Sequence, residues 1–178
     1  MGGLRLMSYL TPDKRPVGYS LTKKRAASGY RKEDAQFRRI PSHDLALIWL
    51  LRPYAFVDKS STVVTEKLGQ QRLHGWVAIL VNEHSASAAE MVAGFARENK
   101  LATIVGTKIP GRLLSGTAFK VGHGLMLGLP VGAYCTSEGT LFEGKGVEPD
   151  ESVDLSRDAL REGRDTQLEK AVRIVSGP

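Results

Sequence analysis

A strand–helix–strand pattern in the middle of the chain limits most strongly which folds this sequence can form. Residues 76–81 are a continuous apolar, β-prone run, which is typical of a strand buried on both faces. A helical pattern with one apolar side follows over Ser87–Lys100, and Ala102–Val105 is a second apolar strand. Two strands joined by a helix within 30 residues are expected to lie parallel in one sheet. The predicted fold class is α/β.

Charge divides the chain near residue 75. Residues 1–74 hold 14 basic and 6 acidic residues, a net charge of +8, whereas residues 75–178 hold 11 and 13, a net charge of −2. We therefore predict a basic N-terminal segment (1–74), a core (75–155) and a C-terminal helix (156–178), all within one domain.

Local patterns predict further elements within these segments. The N-terminal segment is expected to contain two short helices, a strand and an exposed loop or strap, and a glycine-rich β-hairpin region and a closing helix are expected after the core pattern. These elements, in chain order, are helix Leu4–Leu10, strand Val17–Leu21, strap 22–41, helix Leu45–Leu51, hairpin region 117–142 and helix Asp165–Val175.

Composition excludes several classes of protein. The apolar runs are too short to cross a bilayer, so no membrane span is expected. The single cysteine, Cys135, excludes an internal disulfide framework, and the four histidines lack the spacing of a helical metal site. We expect neither a metal nor a cofactor. Basic clusters such as Lys23-Lys24-Arg25 stand without any nucleic-acid-binding motif, so nucleic acid is not the expected partner.

Ser87 lies where the first buried strand gives way to the helix. The N-terminus of a helix offers unpaired N–H groups and partial positive charge, which suits a nucleophile whose attack creates an oxyanion. Small neighbours such as Ala88 leave space for a peptide carbonyl. Ser87 and Glu90 also match a capping box, in which the two residues satisfy backbone donors reciprocally. From this motif alone, both interpretations stay open.

Several motifs in order resemble one family, the C-terminal processing (tail-specific) serine peptidases, in particular the tricorn-related branch. The resemblance covers residues 76–152 and extends more loosely to Gly2-Gly3. The motifs that carry it are Asn82-x-x-Ser-Ala-Ser-Ala-Ala-Glu90, Ala93-Gly94, Asn99-Lys100, Ala102–Gly106, Pro110-Gly111-Arg112 and Glu143-Gly-Lys-Gly-Val-Glu-Pro-Asp150.

The resemblance implies a fold, a reaction and three site residues. The fold would be a ClpP/crotonase-like core, with a twisted sheet flanked by helices and a β-hairpin region after the strand–helix–strand unit. Ser87 would be the nucleophile, and the backbone N–H groups of Ala88 and Gly3 would form the oxyanion hole. The reaction would be proteolysis of unfolded or C-terminal peptide segments through an acyl-enzyme.

One departure from the family pattern concerns the general base. Position 112, which is 25 residues after Ser87, holds arginine where the Ser-Lys members have their basic lysine. A guanidinium stays protonated, so Arg112 cannot accept the proton of a hydroxyl. Arg112 is therefore expected to bind a substrate carboxylate or to cap its loop.

Other groups are candidates for lining or orienting the site. Lys108, His84 and His123 are the internal candidates for a base, although their directions are not fixed by the sequence. Tricorn-related members use a histidine from a separate upstream segment and a downstream glutamate, and Glu143 is the counterpart of that glutamate here. We expect the base to come from a histidine outside this segment.

Two hypotheses from different classes follow. The chain is either the C-terminal part of the catalytic core of a serine peptidase, truncated relative to its family, or a non-catalytic module that binds a peptide or apolar ligand. Exposed apolar residues such as Trp76 would favour a homo-oligomer. No signal peptide is visible, so a complete chain would be cytoplasmic, whereas members of the family are often exported.

Overall fold

The parallel strand–helix–strand unit belongs to a small three-stranded sheet, and a second sheet of five strands is mostly antiparallel, with one parallel pair. A computed structural model describes residues 2–22, 27, 38–40 and 61–177. In these residues the helices are α1 (Gly2–Leu10), α2 (Ala88–Glu98), α3 (Arg157–Arg161) and α4 (Thr166–Val175), with a 3₁₀ turn at Gly69–Gln71. The strands are β1 (Pro16–Thr22), β2 (Arg38–Ile40), β3 (Ser61–Val64), β4 (Ala78–Val81), β5 (Thr103–Gly106), β6 (Leu114–Gly122), β7 (Leu125–Thr136) and β8 (Glu151–Ser152).

The smaller sheet has the order β4-β5-β8, and all its pairings are parallel. Ala78 pairs with Thr103 and Val81 with Gly106, so the predicted parallel strand–helix–strand unit is confirmed. Ile104 and Val105 are fully buried, in agreement with their continuous apolar run. The observed β4 begins at Ala78, two residues later than the apolar run predicts, and Trp76 is 71% exposed.

The larger sheet has the order β2-β3-β1-β7-β6. Strand β1 pairs antiparallel with both β3 and β7, which connects the basic N-terminal segment directly to the core. Strands β6 and β7 form the predicted hairpin, and its outer part is exposed on both strands. The predicted α/β fold is thus confirmed, with the strands divided between two sheets.

Helix α2 is fixed by caps at one end and by apolar packing along its side. Phe95, Ala93 and Ala96 are buried, and Lys100 adopts a positive φ of 52° just after the helix ends. Met7 of α1 and Val17 of β1 join Phe95 in one apolar cluster. This packing places Gly3 beside the start of α2, where a Cβ on Gly3 would lie 3.8 Å from Ala88 Cβ.

Some elements differ from the sequence predictions, and others lie outside the residues that the structure describes. The C-terminal helix predicted over 156–178 is divided into two helices, α3 and α4. The start of α3 is fixed by the Ser156 hydroxyl, which accepts a hydrogen bond from the Ala159 N–H. The predicted helices at residues 4–10 and 165–175 and the strand at 17–21 are confirmed. The helix predicted over Leu45–Leu51 and most of the strap at 22–41 lie outside the described residues, apart from β2. The described helices are all too short and too polar to cross a membrane.

Gly94 is required by the close approach of α2 to Phe142. A Cβ at position 94 would overlap the Phe142 ring. Alanine is favoured over glycine in a helix by about 1 kcal/mol, yet overpacking typically costs about 1–3 kcal/mol. We expect Gly94→Ala to lower the free energy of unfolding by about 1 kcal/mol or more, as measured by urea denaturation.

The matched control is Gly128→Ala, because no atom lies within 4 Å of a Cβ at that position. Its effect is expected to stay within about 0.5 kcal/mol. An unchanged or raised stability of Gly94→Ala would show that the Phe142 ring is free to move.

Candidate active site

A tight turn after β4 sets the position of Ser87. The Asn82 side-chain oxygen accepts a hydrogen bond from the His84 N–H at 2.9 Å, and the Ser85 hydroxyl accepts one from the Asn82 N–H at 3.1 Å. Backbone hydrogen bonding and then the Thr107 hydroxyl, which donates to Glu83 at 3.0 Å, lower the pKa of the Glu83 carboxyl. The polar residues of this turn therefore fix the path of the chain into α2.

Ser87 itself has a strained backbone. Its φ of 57° and ψ of −115° lie in a region that residues with side chains rarely adopt, and the residue is exposed. Such strain costs on the order of 1–3 kcal/mol and persists only where the surroundings impose it. Strained, exposed serines at strand-to-helix turns are typical of nucleophiles.

The backbone N–H of Ser87 is occupied, whereas that of Ala88 is available. The Ser87 N–H donates both to Glu90 Oε2 at 3.1 Å and to the Arg112 carbonyl at 3.2 Å. In the described part of the chain no acceptor faces the Ala88 N–H. Ala88, rather than Ser87, is therefore the donor that the α2 N-terminus can offer to an oxyanion.

A second helix N-terminus meets α2 at the same place. Gly3 lies in the first turn of α1, where backbone N–H groups have no intrahelical acceptor. The two helix starts together concentrate unpaired N–H groups and positive dipole ends beside Ser87. This arrangement suits the developing negative charge of a tetrahedral intermediate.

The buried carboxylate of Glu90 ties the serine turn to the loop at residues 110–112. Glu90 is fully buried, and Oε1 accepts the Gly111 N–H at 2.6 Å. The Arg112 N–H reaches both carboxylate oxygens, at 3.0 and 2.9 Å. Glu90 and Ser87 also form the predicted capping box, of which the contact from the Ser87 N–H is well formed and the contact to the Ser87 hydroxyl falls outside hydrogen-bond geometry. The Ser87 side chain thus faces the Glu90 N–H without completing a hydrogen bond.

Glu143 holds the same loop from the other side. Its Oε2 accepts the Leu113 N–H at 2.6 Å, and the neighbouring Gly144 N–H donates to the Gly111 carbonyl at 2.9 Å. Gly111 has a φ of 84°, and a Cβ there would overlap the Phe142 carbonyl oxygen. Only glycine allows the loop to lie this close to the 142–146 turn.

The predicted lining residues are brought together unequally. Arg112 contacts Ser87 through its backbone, and its side chain is exposed. Lys108 forms an ion pair with Glu148 at 2.6 Å, with both side chains more than half exposed. His84 is exposed and lies 3.6 Å from Glu83, and His123 is on the exposed hairpin tip. Among the described residues, the side chains of Lys108, His84 and His123 make no contact with the Ser87 hydroxyl.

Sequence reasoning recognised Glu90 only as a cap and missed its role as the link between two loops. The missed signal is the acidic side chain at the third helical position on a face that is otherwise apolar, since such a charge needs several donors when buried. Cys135 is fully buried, and burial raises the pKa of its thiol, which agrees with a small core residue rather than a nucleophile. In the described ranges, no cluster of histidine, cysteine and acidic side chains is suited to a metal ion.

The sequence and the fold agree with those of known proteins. Residues 4–153 match the model of peptidase family S41, and the chain belongs to that family. The carboxy-terminal-processing protease of Bartonella bacilliformis is 34% identical over 126 residues, which cover 64% of this chain and 29% of that protein. The resemblance drawn from the sequence motifs is therefore confirmed.

Solved structures support the same relationship at the level of fold. The crystal structure of a peptidase from Parabacteroides merdae matches with a TM-score of 0.68 and 20% identity, over 97% of this chain and 46% of that chain. The photosystem II D1 C-terminal processing protease matches with a TM-score of 0.59 and 19% identity, over 98% and 35%. The chain thus spans less than half the length of each of these relatives.

The Glu90 carboxylate can be tested through stability. Glu90→Gln replaces one acceptor oxygen with an NH₂ group that faces backbone N–H donors. A buried donor left unsatisfied costs about 1–3 kcal/mol, so we expect a loss of about 2 kcal/mol in the free energy of unfolding by urea denaturation.

Glu98→Gln on the same helix serves as the control, since Glu98 is exposed at the last helical position. It is expected to change stability by less than about 0.5 kcal/mol. Equal effects of the two substitutions would contradict the assignment of Glu90 as the link.

Proposed function

We propose that this chain carries the nucleophilic half of a serine peptidase site, with Ser87 as the nucleophile and polypeptide as the substrate. The observation that carries the proposal is the exposed, strained Ser87 beside the unpaired Ala88 N–H. Membership of the S41 family supports hydrolysis of peptide bonds. The printed name of the Bartonella relative supports C-terminal segments as substrates.

The chemistry follows from these positions. The Ser87 hydroxyl loses its proton to a general base as its oxygen attacks the scissile carbonyl carbon. The carbonyl oxygen becomes an oxyanion that accepts hydrogen bonds from the Ala88 N–H and from Gly3 in the α1 N-terminus. When the C–N bond breaks, the protonated base gives its proton to the amine that leaves. Water then hydrolyses the acyl ester and regenerates the hydroxyl.

A histidine outside this segment is proposed as the general base. Arg112 occupies the position of the family's lysine and cannot take a proton. Lys108 forms an exposed ion pair with Glu148 and has no contact with the Ser87 hydroxyl among the described residues. We propose that Glu143, whose Oε2 accepts the Leu113 N–H in the loop that contacts Ser87, helps to orient that base.

A non-catalytic peptide-binding module is the second candidate function. The specific observation that favours it is Arg112. The backbone of this residue keeps the contacts of the loop, whereas its guanidinium side chain cannot act as a base.

Self-association is proposed for either function, with the exposed Trp76 as part of the contact surface.

The test combines a serine-directed fluorophosphonate probe with hydrolysis of unfolded casein. We expect slow labelling of the unmodified chain at Ser87, as located by peptide mapping, because the proposed base lies outside this segment. Ser87→Ala is expected to lose this labelling. Ser85, two residues away, is the internal control for position, because its hydroxyl already accepts the Asn82 N–H. Casein hydrolysis that disappears in Ser87→Ala would show that the base also lies within this chain.

Arg112→Lys separates the two candidate functions. Activity that appears only in this variant would mean that the site is otherwise intact and that the arginine alone prevents catalysis. A folded circular-dichroism spectrum with no labelling and no hydrolysis in any variant would contradict the peptidase proposal and favour the binding module.

A further inference from the structure

One face of the β6–β7 hairpin is apolar and exposed to solvent. Phe119 pairs with Leu127 across the two strands, and such cross-strand partners point to the same face. Alternate residues along each strand share that face as well. The large apolar residues on this face, which are all 44–64% exposed and together are called the apolar hairpin face, are Phe119, Val121, Leu125, Leu127 and Leu129.

The opposite face of the hairpin has a different composition. Lys120 pairs with Met126, and Ala118 pairs with Gly128, so these residues point to the other side of the two strands. That side carries the single lysine of β6 and β7 together with small residues, whereas the apolar hairpin face has no ionisable side chain. The hairpin is therefore amphipathic from one face to the other.

An uncovered apolar face of this size is unfavourable in water. A two-stranded hairpin is only marginally stable by itself, and β6 is the edge strand of its sheet. An aromatic side chain offers roughly 150–250 Å² and a leucine somewhat less, so the five exposed fractions leave on the order of 450 Å² of apolar surface. Patches of about 300–600 Å² are the largest on a typical monomer and are often functional.

We infer that the apolar hairpin face is an interface between two copies of this chain, which pack face to face about a two-fold axis. The inference rests on the self-association proposed above and names its main contact surface. Two sheets that pack in this way lie about 10 Å apart, with the side chains of the two inner faces interdigitating.

The charge of the hairpin favours a second copy as the partner. A two-fold contact brings the same surface together twice, and the absence of ionisable side chains on the apolar hairpin face means that no like charges meet there. An anionic lipid surface or an acidic protein would be attracted by basic side chains beside the apolar ones. Lys120, in contrast, points to the opposite face.

The area of the face determines the expected strength of the dimer. Two such patches bury on the order of 900 Å² in total, compared with about 1,200–2,000 Å² in stable protein interfaces. Interfaces below this range belong to weak and transient complexes. We therefore expect a reversible dimer with a Kd of about 1–100 µM.

Sedimentation velocity on the full chain tests the inference. Between about 1 and 500 µM the unmodified chain is expected to shift from monomer to dimer. Leu127→Glu places a carboxylate on the apolar hairpin face of both copies, where it would lose water without gaining a partner. The Kd is therefore expected to rise at least about tenfold.

Met126→Glu is the matched control. Met126 is the neighbouring residue on β7, is 56% exposed and points to the opposite face, so the change in charge is the same and only the face differs. Its effect on the Kd is expected to stay below about threefold. Both positions are exposed, and an unchanged circular-dichroism spectrum confirms that each variant is folded.

Salt distinguishes an apolar contact from an electrostatic one. The net charge of +6 makes two copies repel each other, and salt screens this repulsion. Raising the NaCl concentration from about 0.1 to 0.5 M is expected to leave the dimer unchanged or to tighten it. A dimer that dissociates at the higher concentration would be held by ion pairs and would contradict the inference.

Two further variants separate this inference from the other proposals. Trp76→Ala is expected to raise the Kd less than Leu127→Glu does, and the reverse order would make Trp76 the main contact and overturn the inference. Ser87→Ala is expected to dimerise as the unmodified chain does. Fluorophosphonate labelling of Ser87 in Leu127→Glu would keep the proposed nucleophile whether or not the hairpin forms the interface.

Three results of sedimentation would also overturn the inference. The first is a chain that stays monomeric at every concentration, which would leave the apolar hairpin face to a partner of another kind. The second is an equal effect of Leu127→Glu and Met126→Glu. The third is assembly that continues beyond the dimer, because a two-fold contact closes after two copies.

Discussion

The buried carboxylate of Glu90 is the interaction on which the candidate site depends. It lies at the N-terminus of α2, where the helix dipole favours a negative charge, and it is surrounded by backbone N–H donors. Three donors from two separate loops reach it, so one side chain determines both the bend at Ser87 and the position of the loop at 110–112. A neutral residue of similar size could fill the space but could not accept all these hydrogen bonds.

The loop that follows is held between two carboxylates. Glu90 accepts the N–H groups of Gly111 and Arg112, and Glu143 accepts that of Leu113. Since every one of these contacts is made to the backbone, the side chain at position 112 is free to change without altering the loop. The backbone contacts around Ser87 are therefore compatible with arginine as well as with lysine at position 112.

The sequence was sufficient for the local elements and insufficient for the contacts between them. The strand over 78–81, the helix that starts after Ser87 and the parallel partner strand follow from apolar periodicity and capping residues. The sequence showed Glu90 as a helix cap. The N–H groups that donate to its carboxylate belong to residues 21 and 22 positions further along the chain, and no local pattern encodes such a contact. The pairing of β1 with β7 is likewise set by packing across the whole chain. The division of the C-terminal helix into α3 and α4 was missed, because the five residues of α3 are too few to show a periodicity of their own.

Helix α1 connects the proposed oxyanion hole to the apolar cavity between α1 and the start of α2. Met7 packs into the cluster around Phe95, which fixes α1 against α2, and the same helix places Gly3 beside Ala88 and Leu4 in the cavity. A shift of α1 would therefore displace the proposed oxyanion donor Gly3 and reshape the cavity together. Both features depend on packing that is remote from the Ser87 hydroxyl, so the identity of the general base does not alter them.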